Sequence, residues 1–403
     1  MPSVRLTPKA SQIARKGRPW FFADDLDVVD AAETSLVLVR SHEDRPLALG
    51  FYSQASKIPL RTCGGWDAQE VPTAESFFRQ RLHGAVQRRV HFRGAQRGVR
   101  LVHGEGDLLP GLVVDQYADC LVLQSTSTVI EENLSHIVPP LVSWTGATSV
   151  LARNDAAARK LEGLSQEVRL LHGKRVTEVE IEEAGIRHRV QVWTGQKTGF
   201  YLDRRPARQR VRELARERRV LDLCSYQGAF ALAALAGGAH SALAVDQSVP
   251  ALESASNAAE RNGLAPLKTL CANVFDILRE LRNDSAQYDL VVLDPPAFAK
   301  SRKEREGALR GYHDLNRLAM GVLAPGGCLL TCSCSHHVDP PTFERTLRQA
   351  AAELPFPIIL RERLGAGEDH PVWINLPESE YLKVYLLQRP LESTPELPHK
   401  EQP

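Results

Sequence analysis

The second half of the chain alternates short apolar runs with amphipathic stretches, and this pattern restricts the fold more than any other feature. From about residue 190, amphipathic stretches with helical periodicity lie between the apolar runs "RVLDLC", "SALAVD", "LKTLCAN", "YDLVVLD" and "CLLTCSC". Apolar runs of this kind are typical of parallel strands that are covered on both faces. The alternation therefore predicts an α/β fold with a doubly wound parallel sheet, and "PIILRERL" with "YLKVYLLQ" predicts a closing antiparallel hairpin.

Two segments of different character precede this region. Residues 1–72 contain short strands such as "SLVLVR" and "PLALGFYS", which predict a small β-rich module. Residues 73–187 combine an arginine-rich helix, two strands around a "YAD" turn and a helical stretch at "EENLSHIVPPLVSW", which predicts an α+β middle domain. The α/β domain spans residues 188–390. Residues 391–403 have too little apolar content to pack and are predicted to be a disordered tail.

Composition limits the class of protein. The 403 residues include no apolar run of about 18, the length that spans a membrane. The first residues also lack the apolar core of a secretory signal, so we expect a cytoplasmic protein. Seven scattered cysteines without a CxxC pair are unlike a disulfide framework and predict reduced thiols.

The net charge of +1 conceals a basic segment at residues 76–100. It holds seven arginines and no acidic residue, interleaved with Phe77, Phe78 and Phe92. Arginines neutralise phosphates and aromatic rings stack on bases, so this segment is a candidate nucleic-acid site. A solvated helix face is the alternative interpretation. The candidate RNA-binding residues are Arg79, Arg81, Arg88 and Arg89.

Polar residues follow the predicted parallel strands, where open α/β sheets bind ligands. Asp222 closes the first strand, and a turn containing Ser225, Tyr226 and Gly228 leads into a helix whose N-terminus offers free N–H groups. The turn lacks the GxGxxG pattern, which favours a cofactor without phosphates. Asp246 ends the second strand and is a candidate for binding ribose hydroxyls; the alternative is an N-cap, a role that Ser248 could also fill.

The next two strand ends complete the predicted site. Asn273 and Phe275 follow the third strand and are expected to flank an adenine ring. Asp294 ends the fourth strand within "DPPAF", where two prolines hold the backbone extended. Each motif is weak alone, but their order on successive strands is specific.

Together, these sequence motifs resemble those of a known enzyme family. Residues from about 190 to 390 resemble class I S-adenosylmethionine-dependent methyltransferases. The chain to about residue 390 is similar to the bacterial 23S ribosomal RNA cytosine-5 methyltransferases that carry an N-terminal PUA domain. The matching stretches are "RKGRPWFFADDL", "EGDLLPGLVVDQY", "GQKTGFYLDRRPAR", "DLCSYQGAF", "LDPPAFAKSRKE", "GYHDLNRLAM" and "LLTCSCS".

The resemblance implies a PUA RNA-binding domain at 1–72, a middle domain that shapes the RNA cleft, and a Rossmann-like catalytic domain. It implies S-adenosyl-L-methionine as cofactor, with Gln196 and Phe200 of "GQKTGFYLD" across the cofactor pocket. It also implies unpaired or partly assembled 23S ribosomal RNA as partner. Asn273 departs from the family, which usually carries aspartate there to hold the adenine amino group.

The implied chemistry needs a thiolate, because carbon 5 of cytosine becomes nucleophilic only after sulfur adds to carbon 6. The resemblance aligns Cys334 with the family's nucleophile, and Asp294 would bind the N3/N4 edge of the base. Related enzymes place another cysteine beside this aspartate, where this chain has Pro295 and Pro296. The base for the carbon 5 proton is unassigned, with His336 and His337 as candidates.

Three alternatives accompany this interpretation. The pattern Cys332, Cys334, His336 and His337 could bind zinc, but one residue between ligands strains a tetrahedral site, so we expect no metal. "DPPAF" also resembles the motif of amino-methyltransferases, which need no cysteine. The third alternative is that the chain is an RNA-binding assembly factor without catalytic activity. The remaining cysteines of the α/β domain, Cys224, Cys271, Cys328 and Cys332, are predicted to be buried strand residues.

Overall fold

The structure, a computed structural model, describes residues 1–92, 98–264, 267–299 and 302–391, without the side chain of residue 302. Residues 93–97 of the basic segment and 392–403 of the predicted tail therefore lie outside the described residues. The chain forms two compact units. The N-terminal unit comprises Met1–Asp203 and Gly367–Glu380, and the C-terminal unit comprises Arg204–Ala366 and Tyr381–Pro403.

The N-terminal unit begins with a six-stranded sheet in the order β2-β6-β5-β4-β1-β3. Only the β1–β4 pair is parallel. Helix α1 (Pro8–Arg15) is capped by Thr7, whose hydroxyl accepts from the Ala10 N–H. The strands are β1 (Ser3–Leu6), β2 (Trp20–Phe21), β3 (Leu26–Asp30), β4 (Thr34–Arg40), β5 (Pro46–Ser53) and β6 (Leu60–Thr62).

A second sheet of the N-terminal unit has five strands in the order β11-β10-β9-β8-β7. The predicted turn at "YAD" is confirmed, since Tyr117 pairs with Cys120 and Ala118 adopts a φ of 51°. A separate hairpin, β12 with β13, follows. The elements are α2 (Ala74–Arg88), β7 (Gly98–His103), β8 (Leu112–Tyr117), β9 (Cys120–Ser125), α3 (Thr128–Glu132), α4 (Leu134–Thr145), β10 (Ser149–Asn154), β11 (Glu167–Gly173), β12 (Val179–Glu183) and β13 (Ile186–Val190).

One hydrophobic core joins the two sheets of this unit. Phe51 of the first sheet packs with Phe77 and Phe78 of α2, at ring distances of 5.7 and 5.9 Å. A nearly buried ion pair between Arg61 and Glu162 adds a second link. The predicted boundary at residue 72 thus separates two sheets that share one core, which explains why they form a single unit.

The C-terminal unit contains a seven-stranded sheet in the order β16-β15-β14-β17-β18-β20-β19. Strands β14 to β18 are parallel, and β20 pairs antiparallel with both of its neighbours. The predicted α/β class with a terminal antiparallel hairpin is confirmed. The strands are β14 (Arg219–Leu223), β15 (Ser241–Asp246), β16 (Leu267–Cys271), β17 (Tyr288–Leu293), β18 (Leu323–Ser333), β19 (Ile359–Leu364) and β20 (Lys383–Gln388).

Helices cover both faces of this sheet. One apolar core packs against α5, α6 and α7, and a second packs against α8, α9 and α10. Alternating residues of the central strands divide between the cores: Val220 and Val292 face α5–α7, whereas Val291 faces α8–α10. The helices are α5 (Arg205–Leu214), α6 (Ala229–Ala236), α7 (Val249–Arg261), α8 (Val274–Asn283), α9 (Arg305–Gly321) and α10 (Pro340–Ala352).

The chain passes between the units three times. Residues 188–203 and 367–380, which the sequence places in the catalytic domain, group with the N-terminal unit. The second of these segments connects β19 to β20. Among the described residues, each helix is too short or too polar to cross a membrane.

Candidate active site

Three carboxylates mark the carboxyl end of the parallel sheet. Asp222, Asp246 and Asp294 lie at the ends of the adjacent strands β14, β15 and β17. Asp222 is fully buried; burial raises its pKa to about 8, and the charges of Asp294 and Asp246 add to this rise. Its Oδ2 accepts from the Ala231 N–H at 3.0 Å, whereas its Oδ1 is buried without a hydrogen-bond partner in the described part of the chain.

The turn after β14 has a strained backbone. Cys224 and Tyr226 adopt positive φ angles of 58° and 47°, which non-glycine residues rarely do. Gly228 has a φ of 69°, and a Cβ there would lie 2.8 Å from the Ala255 Cβ. Within the described residues, the buried Ser225 Oγ also lacks a hydrogen-bond partner. Gly228 therefore lets the turn pack closely against α7, and the turn has a buried polar atom without a partner among the described residues.

Asp246 supports this turn. Its Oδ2 accepts from the Tyr226 N–H at 2.8 Å, and its Oδ1 accepts from the Ser248 N–H at 2.9 Å. The cap of α7 is Ser248, whose hydroxyl accepts from the Ala251 N–H, so the N-cap interpretation of Asp246 is wrong. A carboxylate has about four lone-pair positions, so Asp246 retains acceptors for ribose hydroxyls.

Asn273 caps helix α8 through its side chain. Its Oδ1 accepts from the Phe275 N–H at 2.9 Å. The side-chain amide nitrogen is a donor, which complements a ring nitrogen of adenine better than the adenine amino group. Asn273 is exposed and the Phe275 ring is half-buried. Their predicted contact with adenine stays a prediction.

Asp294 has a partner that the sequence analysis did not identify. The guanidinium of Arg204 donates to both carboxylate oxygens, at 2.9 and 3.0 Å. Arg204 is only 2% exposed, and Asp294 is 16% exposed. Such a bidentate pair fixes the plane of the carboxylate. The one available signal was the position of Arg204 directly after "GQKTGFYLD".

Cys334 directly follows β18 and is half-buried. Leu330 and Cys332 of β18 face the α5–α7 core, and Cys334 comes next to the end of this strand, beside the strand that precedes Asp294. The next residue, Ser335, is buried, and its Oγ accepts from the Ala299 N–H at 3.3 Å. This bond joins the turn after β18 to the loop that carries Asp294.

The other cysteines and histidines separate into two groups. Cys328 and Cys332 are buried strand residues, as predicted. Cys271 is exposed because β16 is an edge strand, and Cys224 lies beyond β14 and is half-buried, so both predictions of burial within a strand were wrong. His336 and His337 are exposed, and the His336 ring stacks on Tyr381. No cluster of three or more potential metal ligands occurs among the residues that the structure describes.

The basic segment forms α2, but its side chains have different environments. Arg79 is exposed, Arg88 is 53% exposed, and Arg81 lies 5.7 Å from the Phe77 ring. Arg89 is buried and forms a bidentate ion pair with Asp107 at 2.6 and 2.7 Å, so its prediction as an RNA contact is wrong. Stacking on bases is also excluded for the buried rings Phe77 and Phe78.

Gln196 and Phe200 belong to the N-terminal unit. The Gln196 side chain accepts from the Tyr201 hydroxyl at 2.6 Å, and the Phe200 N–H donates to the Tyr117 hydroxyl at 3.3 Å. A short bond from Thr198 Oγ1 to the buried Asp115 carboxylate also anchors this loop. The predicted contact of Gln196 and Phe200 with a cofactor stays a prediction.

Comparison with known families agrees with this geometry. Residues 100–378 match the model of the S-adenosylmethionine-dependent methyltransferases. The chain belongs to the S-adenosylmethionine-dependent methyltransferase family. Residues 4–63 match a PUA-like domain. The predicted cofactor and the predicted N-terminal module are therefore confirmed.

Several relatives cover nearly the whole chain. Ribosomal RNA large subunit methyltransferase I of Vibrio cholerae serotype O1 is 37% identical over 95% of this chain and 98% of its own. The protein of the same name from Photobacterium profundum is 39% identical over 94% of this chain and 98% of its own. Among solved structures, SMU.776 in complex with SAH has a TM-score of 0.84 at 21% identity, over 96% of this chain and 100% of its own, which shows a shared fold.

The strand-end residues fit S-adenosylmethionine. The cofactor is a sulfonium cation with an ammonium group, and the site presents carboxylates and two buried atoms that have no hydrogen-bond partner among the described residues, Asp222 Oδ1 and Ser225 Oγ. Asp246 keeps lone pairs beyond its two main-chain hydrogen bonds, and its predicted contact with the ribose stays a prediction. When bound, the cofactor supplies an electrophilic methyl group.

Cofactor binding should release a proton at neutral pH. Because the pKa of Asp222 is about 8, most of this carboxyl is protonated at pH 7 in the free protein, and a cationic ligand favours the ionised form. Between pH 6 and 7.5 we expect the affinity for S-adenosylmethionine to rise by about tenfold per pH unit, measured by calorimetry in buffers of different ionisation enthalpy. Asp222→Asn should abolish the pH dependence; an affinity of the unmodified chain that is constant with pH would contradict this assignment.

Proposed function

We propose that this protein transfers the methyl group of S-adenosylmethionine to carbon 5 of a cytosine in large-subunit ribosomal RNA, with Cys334 as nucleophile. The substrate class is supported by the relatives named ribosomal RNA large subunit methyltransferase I and by the PUA-like domain. The choice of carbon 5 is supported by the thiol at the end of β18, since methylation of a nitrogen needs no sulfur nucleophile.

The residues of the C-terminal unit have distinct roles in this reaction. The Cys334 thiolate adds to carbon 6, which forms an S–C6 bond and moves electron density to carbon 5. Carbon 5 takes the methyl group as the bond of that group to the sulfonium sulfur breaks, and the C5 proton then passes to solvent water. The C5–C6 double bond re-forms, the S–C6 bond breaks and the thiolate is released. Asp294 accepts a hydrogen bond from the exocyclic N4 amino group and stabilises a proton on N3.

One observation carries the proposal: Cys334 and Asp294 directly follow the neighbouring parallel strands β18 and β17. The bond between Ser335 and Ala299 ties together the two segments that bear them. Arg204 uses one lone pair on each Asp294 oxygen, which leaves the remaining lone pairs for the base edge. Attack at carbon 6 requires a thiol, and recognition of cytosine requires an oriented carboxylate.

Substitution of the nucleophile tests the proposal. In a strain from which this gene is deleted, nucleoside analysis of large-subunit ribosomal RNA should show the loss of one 5-methylcytidine. Expression of the unmodified protein or of Cys332→Ala should restore it, whereas Cys334→Ala should not, because only the latter removes the attacking sulfur. An unchanged content of 5-methylcytidine in the deletion strain would refute the proposal. Full activity of Cys334→Ala on a nitrogen atom would favour the amino-methyltransferase alternative.

We also propose that Arg79, Arg81 and Arg88 of α2 contact RNA phosphates. Arg79→Gln and Arg81→Gln should each weaken RNA binding and reduce the slope of log K against log salt by about one, with cofactor affinity unchanged; Arg88 also forms an ion pair with the buried Asp107, so its replacement is a less clean test. Arg89→Gln is the contrasting variant. It leaves the buried Asp107 without its bidentate partner and should lower the free energy of unfolding by about 3–5 kcal/mol in urea titrations. Unchanged salt slopes for Arg79→Gln and Arg81→Gln would overturn the phosphate contacts.

A further inference from the structure

The turn that carries Cys334 is held by its neighbour Ser335. Ser335 is fully buried, and its hydroxyl bonds both the Ala299 N–H and the Tyr312 hydroxyl, the latter at 2.9 Å. Burial raises the pKa of Tyr312, so its hydroxyl stays protonated beside Ser335, the residue that directly follows Cys334. The position of the thiol therefore depends on how firmly Ser335 is held.

The carbonyl of Ser335 accepts from a buried lysine. Lys383 is 4% exposed, and its Nζ donates to the Ser335 carbonyl at 2.8 Å and to the Tyr381 carbonyl at 2.7 Å. It begins β20 and pairs with Ser333, the last residue of β18. Lysine is rarely buried, since removing its charge from water is costly. The ammonium is thus bonded to the residue after Cys334, and the Lys383 backbone pairs with the residue before it.

We propose that Lys383 is a positioning residue for the Cys334 thiol. Its ammonium fixes the Ser335 carbonyl, and with it the turn that aims the sulfur, and it supplies a positive charge that favours the thiolate. This inference rests on the proposed role of Cys334. A cation near a thiol promotes its reactive anionic form. In a partly buried site the electrostatic interaction between neighbouring charges is stronger than in water.

Alkylation of the thiol tests this without RNA or cofactor. The full-length protein is treated with iodoacetamide at pH 7, and labelling rates of individual cysteines are followed by mass spectrometry. Exposed Cys271 on the edge strand β16 is an internal reference, and the buried Cys328 and Cys332 report on unfolding. The variants are Lys383→Met, Lys383→Gln, which keeps a hydrogen-bond donor without the charge, and Lys383→Arg. Lys268→Met on β16 is the matched control.

We expect the ratio of Cys334 to Cys271 labelling to fall by about tenfold or more in Lys383→Met and Lys383→Gln. The labelling ratio of Lys383→Arg and of Lys268→Met should stay within about threefold of the ratio in the unmodified protein, because both variants keep the positive charge at residue 383. In methyl-transfer assays kcat should fall with the labelling ratio, while KM for the cofactor stays constant. If Cys332 labelling shows that Lys383→Met unfolds, the Lys383→Gln variant decides.

A labelling ratio that is unchanged in a folded, charge-free variant would overturn the proposal, even if methyl transfer declined. Failure of the proposed function has a different signature. In that case Cys334→Ala would retain methyl transfer, while the labelling ratio would still depend on the charge at residue 383.

Discussion

The catalytic architecture depends on the concentration of negative charge at one edge of the parallel sheet. Asp222, Asp246 and Asp294 end adjacent strands, and burial raises the pKa of Asp222 to about 8. Arg204 offsets the charge of Asp294, and main-chain N–H groups stabilise Asp246. One carboxyl oxygen of Asp222 is buried without a partner in the part of the chain that the structure describes, and a cationic cofactor is the ligand that such a site stabilises most.

Residues close to the points where the chain enters the C-terminal unit hold the reactive groups. Arg204, the first residue of this unit, orients Asp294, and Lys383, the third residue after the last passage, holds the carbonyl beside Cys334. Both side chains are almost fully buried, so each is fixed by its surroundings. The proposed reaction requires such preorganisation, because the Cys334 thiol and the Asp294 carboxylate must contact the same base.

The sequence was sufficient to predict the central parallel strands of the C-terminal unit, because buried parallel strands have apolar runs that few other elements share. The edge strand β16 and the antiparallel hairpin β19–β20 were predicted from their place in the alternation of strands and helices. Strand β11 has no such run, since it is an edge strand with exposed positions, and it was missed. Arg204, Lys383 and Arg89 were missed or misassigned for another reason. Charged residues are normally solvent-exposed, and their burial here depends on partners 18 to 90 residues away, such as Asp107 and Asp294. Local pattern contains no information about these contacts.

Covalent trapping tests the central role of Cys334 most directly. RNA with 5-fluorocytidine at the target position still permits sulfur to add to carbon 6, but fluorine cannot leave carbon 5 as a proton does, so the adduct cannot be released. With S-adenosylmethionine present, we predict a protein–RNA complex that survives denaturation, with the nucleotide on the Cys334 peptide. A methylated product without an adduct, or an adduct on Cys332, would contradict this account.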